Sequence, residues 1–347
     1  MREALLSVEE LAISFDTDGG RLRAVDGITF EVPPQSTVAL VGESGCGKTV
    51  TAMAIMRLLP SPPGSIDRGT IRLRGDDLMA LSDRQMRKVR GARIGFVFQD
   101  PLAALDPVYS VGSQVVEALR LHVRLSRREA KKRAIALLAK VGFPEPEKRF
   151  DAYPHELSGG MRQRVLIAIA IACDPELVIA DEPTTALDML AASEVANLLS
   201  ELKRERDASL LLISHDIGMI ASHADHIVVL YAGQIVERGP AAEILSEPRH
   251  PYTRGLLASI PPLRKRRRRR RKTPTRLPAM DGSVPDLVAP PPYCRFASRC
   301  PAAYARCGEE EPALYEVGPV VTRCFLYDPE GAEEVEEPLE LVAKEEG

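Results

Sequence analysis

At 347 residues with 45% hydrophobic side chains, the chain is long enough for one large domain and a smaller one, and it can build a sizeable core. Its formal net charge of −3 conceals a segregation, with nine consecutive basic residues from Arg264 to Lys272 and a mostly acidic stretch from Asp328 to Gly347. The longest apolar run, Val165 to Cys173, is nine residues against the roughly 20 that a bilayer span needs, and the N-terminus lacks the basic, apolar and small-residue order of a signal peptide, so a membrane-spanning or exported chain is not expected. Six cysteines without an export signal point to reduced thiols or metal ligands rather than a disulfide scaffold.

Residues 5–15 and 27–32 alternate as strands across the turn-rich stretch 16–20, which predicts an antiparallel opening with Phe15 at the end of the first strand. Residues 36–41 read as a short buried strand, and 49–59 have helical apolar spacing. Between them Gly42-Glu43-Ser44-Gly45-Cys46-Gly47-Lys48-Thr49 matches G-x-x-x-x-G-K-[ST], the strand-loop-helix context that a phosphate loop requires. Glycines let the loop amides turn inward around phosphates, the helix start adds partial positive charge, Lys48 reaches the outer phosphates and Thr49 can ligate Mg²⁺. A nucleoside triphosphate is the expected ligand. Beyond the breaker cluster 60–64, residues 69–73 read as a strand, 82–90 as a polar helix, and 94–98 as an apolar strand that ends at Gln99.

From Val111 to about Cys173 the pattern is helical, with helices over 111–122, over 126–141 opened by the Ser126–Glu129 capping-box spacing, and over 161–173 opened by Leu157-Ser158-Gly159-Gly160. The last of these starts leaves N–H groups open to an anion. Leu177 to Ala180 is a continuous apolar strand with Asp181-Glu182 at its C-terminal end, where open α/β sheets place ligand groups. A helix over 188–206, a strand over 210–213 ending in Ser214-His215-Asp216, a strand over 227–230, a turn at 232–234 and a short helix over 241–245 follow. This βα alternation predicts a parallel sheet covered on both faces. A carboxylate pair at a strand end also suits a solvated turn, and a lone histidine is more often structural. The upstream phosphate loop favours the chemical reading, with Asp181 reaching Mg²⁺ and Glu182 polarising an attacking water.

The composition changes after Pro251. The expected layout is a domain over 1–260 with a helical insertion at about 101–173, a basic and Pro-rich linker over 261–290, a four-cysteine module over 291–327, and a disordered acidic tail over 328–347. Cys294, Cys300, Cys307 and Cys324 are spaced C-x5-C-x6-C-x16-C, unlike the short C-x2-C pair of a common zinc site. Cys46 and Cys173 read as structural. The basic run suits anionic lipid head groups, nucleic acid or a solvated linker, and the linker reading is favoured.

Leu157-Ser158-Gly159-Gly160-Met161-Arg162-Gln163 resembles the signature motif of ABC-type ATPases, and together with Gly42 to Thr49, Gln99, Leu177 to Glu182, Ala186-Leu187-Asp188 and His215 it completes that family's ordered set over about residues 5–260. The segment from Ala180 to Asp188, His250-Pro-Tyr-Thr-Arg-Gly-Leu-Leu257 and the terminal cysteines resemble the ATPase subunits of oligopeptide and dipeptide importers, and nickel importers of that branch share much of this. The resemblance implies an α/β P-loop NTPase fold of ABC type, with a parallel core sheet, an N-terminal antiparallel β region, a helical insertion and a small Cys-containing C-terminal module.

It also implies roles for single residues. Phe15 stacks on adenine, Lys48 and the loop amides hold the β- and γ-phosphates, and Thr49, Gln99 and Asp181 organise Mg²⁺. Glu182 is the general base and His215 the γ-phosphate sensor. Ser158 and Gly160 contact the ATP of an opposing subunit, and Gly159, Gln163 and Asp188 join the nucleotide-binding set. Branch members with a similar cysteine pattern can hold a [4Fe-4S] cluster, which Arg295 and Arg299 would offset in charge; zinc and metal-free thiols stay open from the residues themselves. The implied partners are transmembrane permease subunits, a second ATPase subunit (identical or related) and, indirectly, an external solute-binding protein, at the cytoplasmic face of the membrane and without nucleic acid. The rival reading is an ABC-type ATPase acting on nucleic acid or the ribosome. It has the basic run in its favour and the transporter-sized interval from Thr49 to Leu157 against it. Two departures from the branch are Met189-Leu190-Ala191-Ala192 after Asp188 and the absence of a histidine before Cys324.

Overall fold

Four runs, Thr37–Val41, Ile94–Val97, Leu177–Asp181 and Ser209–Ile213, have every residue buried. Strands that are apolar on both faces belong inside a parallel sheet covered on both sides, because an alternating strand would leave one face wet. The structure, a computed structural model, describes residues 4–185, 187–259, 280 and 282–330. In chain order its elements are β1 (Leu6–Thr17), β2 (Gly20–Val32), β3 (Thr37–Val41), α1 (Lys48–Ile55), β4 (Gly64–Leu73), β5 (Asp76–Asp77), α2 (Asp83–Val89), β6 (Ile94–Val97), α3 (Pro101–Ala104), α4 (Val111–His122), α5 (Arg127–Lys140), α6 (Gly159–Ala170), β7 (Leu177–Asp181), α7 (Met189–Arg206), β8 (Ser209–Ile213), α8 (Ile217–His223), β9 (His226–Tyr231), β10 (Gln234–Pro240), α9 (Ala241–Ser246), α10 (Pro251–Ala258), β11 (Tyr315–Val317) and β12 (Val320–Thr322).

Eight strands form one sheet in the order β11-β12-β10-β9-β3-β8-β7-β6, parallel from β9 to β6 and antiparallel beyond. Leu40, Ile179, Leu211 and Ile213 on one face share a core with Leu6, Phe30 and Ile71 of a second sheet, β2-β1-β4-β5, which is antiparallel. Val178, Ala180, Leu210 and Leu212 on the other face pack with Val115, Leu137, Val165 and Leu166 of α4, α5 and α6. Each fully buried Leu, Ile or Val on these faces contributes about 1.5–3 kcal/mol relative to exposure, so the two layers clamp the parallel strands. The C-terminal ends of β3, β7 and β8 therefore lie together at one edge, and the phosphate loop, Asp181-Glu182 and His215 follow from them.

The elements differ from the expectations mainly at their ends. β4 begins at Gly64, five residues before the expected Gly69, because a strand with one solvated face carries polar residues that mask it. The helix after the phosphate loop stops at Ile55, where Arg57 turns to φ +50°. The helix after Ser158 begins at Gly159 and stops at Ala170. The short helices α8 and α10 have too few turns to show a period. Ser126 and Glu129 do form the expected capping box at α5.

The hairpin β11–β12 joins the large sheet by pairing with β10 at Glu237↔Thr322 and Arg238↔Val321, so the cysteine-bearing segment is tied into the same sheet as the phosphate loop. The basic run 264–272, most of the 261–290 linker and positions 331–347 of the acidic tail lie outside the described residues. Among the described residues no helix is long and apolar enough to cross a membrane.

Candidate active site

The phosphate loop is shaped by contacts that only glycine permits. A Cβ on Gly42, whose φ is +152°, would stand 2.2 Å from the Leu230 carbonyl oxygen, and one on Gly47, at φ +104°, would stand 2.6 Å from that of Ala24. Among the described residues the N–H groups of Ser44, Gly45 and Gly47 take no hydrogen-bond partner, so they remain as donors for an anion. Lys48 is 5% exposed, and its Nζ donates to the carbonyls of Gly42 and Glu43, both at 2.8 Å, and lies 3.6 Å from Cys46 Sγ. The ammonium thus sits inside the loop without a carboxylate partner among the described residues. Cys46 is buried, and burial pushes its thiol pKa up.

Thr49 Oγ1 donates to Asp181 Oδ1 at 3.1 Å. Burial pushes the Asp181 carboxyl up, the Thr49 hydrogen bond opposes that, and the Glu182 charge adds to it. A hydroxyl and a buried carboxylate side by side fit a hard, oxygen-seeking cation such as Mg²⁺. Glu182, next in sequence, is held by a different set of groups. Its backbone is at φ +45°, held by a 2.9 Å bond from its N–H to the Ile213 carbonyl. Three groups converge on its Oε2: Gln99 Nε2 at 3.2 Å, Thr185 Oγ1 at 2.7 Å and His215 Nδ1 at 3.3 Å. Among the described residues Oε1 takes none. Gln99 is therefore brought to Glu182 rather than to the Thr49–Asp181 pair with which it was grouped for Mg²⁺.

Ser158 caps α6, its Oγ accepting from Met161 N at 3.4 Å, and is exposed, with Gly159 and Gly160 in the first turn. Asp188 caps α7 through Ala191 N at 2.9 Å. A Cβ on Gly160 would lie 3.9 Å from both Ala191 and Leu187, so the two helix starts adjoin. No hydrogen bond among the described residues joins them to the phosphate loop. Gln163 faces inward, 2% exposed, and among the described residues its Nε2 has no partner. Phe15 lies on β1 opposite Leu22 and Gly64, partly buried, with no hydrogen-bonded or ring contact to the loop.

The four C-terminal cysteines are free thiols, and Cys294, Cys300 and Cys307 pack in one small core with Ala297, Ala303, Tyr304 and Phe325. Burial pushes Cys294 and Cys324 up to about 12 and Cys300 up to about 11, and Cys307 also rises. Backbone N–H groups oppose this, from Phe296 and Ala297 at Cys294, Ala302 at Cys300 and Leu326 at Cys324. Among the described residues no three His, Cys, Asp or Glu side chains are grouped to hold a metal ion. The carboxylate partners of Arg295 and Arg299, expected beside the thiols, lie in the body of the fold: Arg295 pairs with Asp26 and donates to the Ala232 carbonyl at 2.6 Å, and Arg299 pairs with Glu43. Both residues face the sheet because acceptors with matching charge stand there. Sequence reasoning missed this contact between the segment and the loop, and with it Tyr252, whose hydroxyl accepts from Glu43 N at 2.8 Å. Tyr252 lies in the quoted His250–Leu257 motif, so the signal was visible without its meaning.

Comparison with known proteins agrees with this geometry. The ABC transporter family profile matches residues 25–185, and that of the oligopeptide/dipeptide transporter C-terminal region matches residues 236–307. The chain is 47% identical to the oligopeptide transport ATP-binding protein OppD of Bacillus subtilis over 98% of its own length and 93% of that protein's, and 45% identical to the dipeptide transport ATP-binding protein DppD of the same organism over 89% and 90%. Among solved structures it is similar to a dimeric ATP-binding cassette in a post-hydrolysis state with ADP and Pi bound, with 26% identity, a TM-score of 0.62 and coverage of 68% of this chain and 98% of that one.

Proposed function

The chain belongs to the ABC transporter family, as an ATP-binding and hydrolysing subunit of its oligopeptide/dipeptide branch, and on that premise we propose that it drives uptake of peptides or a related small solute through permease subunits at the cytoplasmic face of the membrane. An external solute-binding protein acts indirectly, and nucleic acid is not a ligand. The observation that carries this reading is the carboxylate of Glu182, anchored through Oε2 by Gln99, Thr185 and His215 and open at Oε1, beside a loop with unpartnered amides and the Thr49–Asp181 pair. Water attacks the γ-phosphorus as Glu182 takes its proton, and the bond to the β-γ bridging oxygen breaks, giving ADP and phosphate. Mg²⁺, held by Thr49 and Asp181, neutralises phosphate charge when bound.

Ser158 and Gly160 make an anion-binding helix start that the chain's own loop does not use, which supports a head-to-tail pair in which each subunit closes the other's ATP site. Gln99, two residues beyond β6 and touching Glu182, carries the state of the site toward the helical insertion and the permease. In a pull-down of the tagged full-length chain from detergent-solubilised membranes, multi-span permeases co-purify; recovery of rRNA or DNA in their place overturns the transport reading.

For the C-terminal segment we propose a [4Fe-4S] cluster on Cys294, Cys300, Cys307 and Cys324. Cys294, Cys300 and Cys307 meet one small core, and nearby backbone N–H groups oppose the burial-driven rise at all four thiols, as they would favour thiolates bound to iron. Oxygen-free purification, visible absorption and metal content test it; zinc in stoichiometric amount, or neither iron nor visible absorption, overturns the cluster.

A further inference from the structure

We propose that Arg299, in the four-cysteine segment, is a positioning residue for the phosphate loop and sets the chain's affinity for ATP; this rests on the ATP-site reading above. Glu43, the second residue of the loop, is held at three points. Its N–H donates to Tyr252 Oη at 2.8 Å, its carbonyl accepts from Lys48 Nζ at 2.8 Å, and its two carboxylate oxygens take both arms of the Arg299 guanidinium, each at 2.9 Å. Only one of these partners, Lys48, belongs to the loop. Arg299 also donates to Tyr231 Oη at 3.3 Å, and its guanidinium carbon lies 5.6 Å and 5.9 Å from the ring centroids of Tyr231 and Phe296. Its side chain is 5% exposed, and that of Glu43 26%.

The physical consequence is twofold. A two-pronged ion pair removed from most of the solvent fixes orientation as well as charge, so Arg299 sets the start of the loop and, through the Glu43 carbonyl, the place of Lys48. A carboxylate on a loop that receives a polyanion also repels its ligand unless it is neutralised, and Arg299 supplies that neutralisation. The segment between Cys294 and Cys324 thereby acts on the nucleotide site through one side chain that precedes Cys300.

The test is the affinity of the full-length chain for a fluorescent ATP analogue, read by anisotropy, together with KM and kcat in the assembled transporter. Arg299→Ala weakens binding about tenfold and raises KM in proportion, with kcat at saturating ATP held within about twofold. Arg299→Lys, which keeps the charge and loses the fork, falls between, at about threefold. Adding Glu43→Gln to Arg299→Ala restores most of the affinity, because the unneutralised carboxylate is gone. An Arg299→Ala affinity within twofold of the parent, or a double variant no tighter than the single one, overturns the proposal. If Arg299→Ala fails to fold, Arg299→Lys decides: an unchanged affinity overturns it. Lys48→Ala separates the two readings, since equal binding by the parent and Lys48→Ala removes the ATP site itself, while loss in Lys48→Ala alone, with Arg299→Ala unaffected, removes only the clamp.

Discussion

Glu182→Gln isolates proton abstraction from everything else Glu182 does. The side chain is 15% exposed, and the amide has the same shape, so packing and the backbone at φ +45° are retained. The three groups on Oε2 fix how the new amide sits: Thr185 Oγ1 at 2.7 Å and Gln99 Nε2 at 3.2 Å both donate, so the amide oxygen takes the Oε2 place. Its NH₂ then occupies the Oε1 place, presenting donors where an attacking water must give up a proton. Both the charge and the acceptor are lost, which puts the effect in the upper part of the range of about 10²–10⁴-fold for general-base removal, or about 4–5 kcal/mol of barrier. Phosphate release at saturating Mg-ATP falls at least about 10³-fold, ATP affinity is retained, and size-exclusion chromatography with ATP shows an accumulated dimer. Turnover within threefold of the parent would refute the assignment of the base.

Asp181→Asn tests the buried carboxylate by its pH dependence. Burial holds the folded pKa above the unfolded one, so the carboxyl's contribution to stability is intact below the unfolded value and is lost as pH rises toward the folded one. The asparagine variant without nucleotide therefore melts higher at neutral pH, and the difference closes below about pH 4; a lower melting temperature at neutral pH would contradict the sign. Phe15→Ala loses about tenfold in ATP affinity with an unchanged melting temperature if the ring stacks on adenine, as base–aromatic stacking is worth about 1–3 kcal/mol; unaltered affinity removes Phe15 from the site. Gly95→Ala drives a Cβ to 2.2 Å from the Ala170 carbonyl oxygen, so the urea midpoint drops by the equivalent of about 1–3 kcal/mol. An undisturbed midpoint would mean that β6 and α6 part without cost.

The parallel sheet was legible because its strands are short, wholly apolar and end in chemistry: LVIAD and SLLLI announce both their burial and the place of Asp181 and His215. The capping box at Ser126 was legible for the same local reason. What escaped depended on partners remote in sequence. Gln99 and Glu182 are 83 residues apart, and Arg299 and Glu43 are 256 apart, and no periodicity encodes such a meeting. Arg295 and Arg299 were matched to the nearest charges along the chain, the cysteines, whereas the fold offered them Asp26 and Glu43. β11 and β12, three residues each, carry no pattern of their own and exist because β10 offers an open edge.

That edge bears on where the chain can be divided. Cutting after α10, where a nucleotide cassette looks finished, would strip β12 from β10 and leave its N–H and C=O groups as a bare template for another chain. The cut would also uncover Tyr231 and Tyr252, which Phe296 meets edge-on at 5.2 Å and 5.5 Å between ring centroids. A shortened protein would thus gain a sticky flank beside its phosphate loop, and its self-association would be an artefact of the cut surface, unrelated to the ATP-driven pairing of the intact subunit.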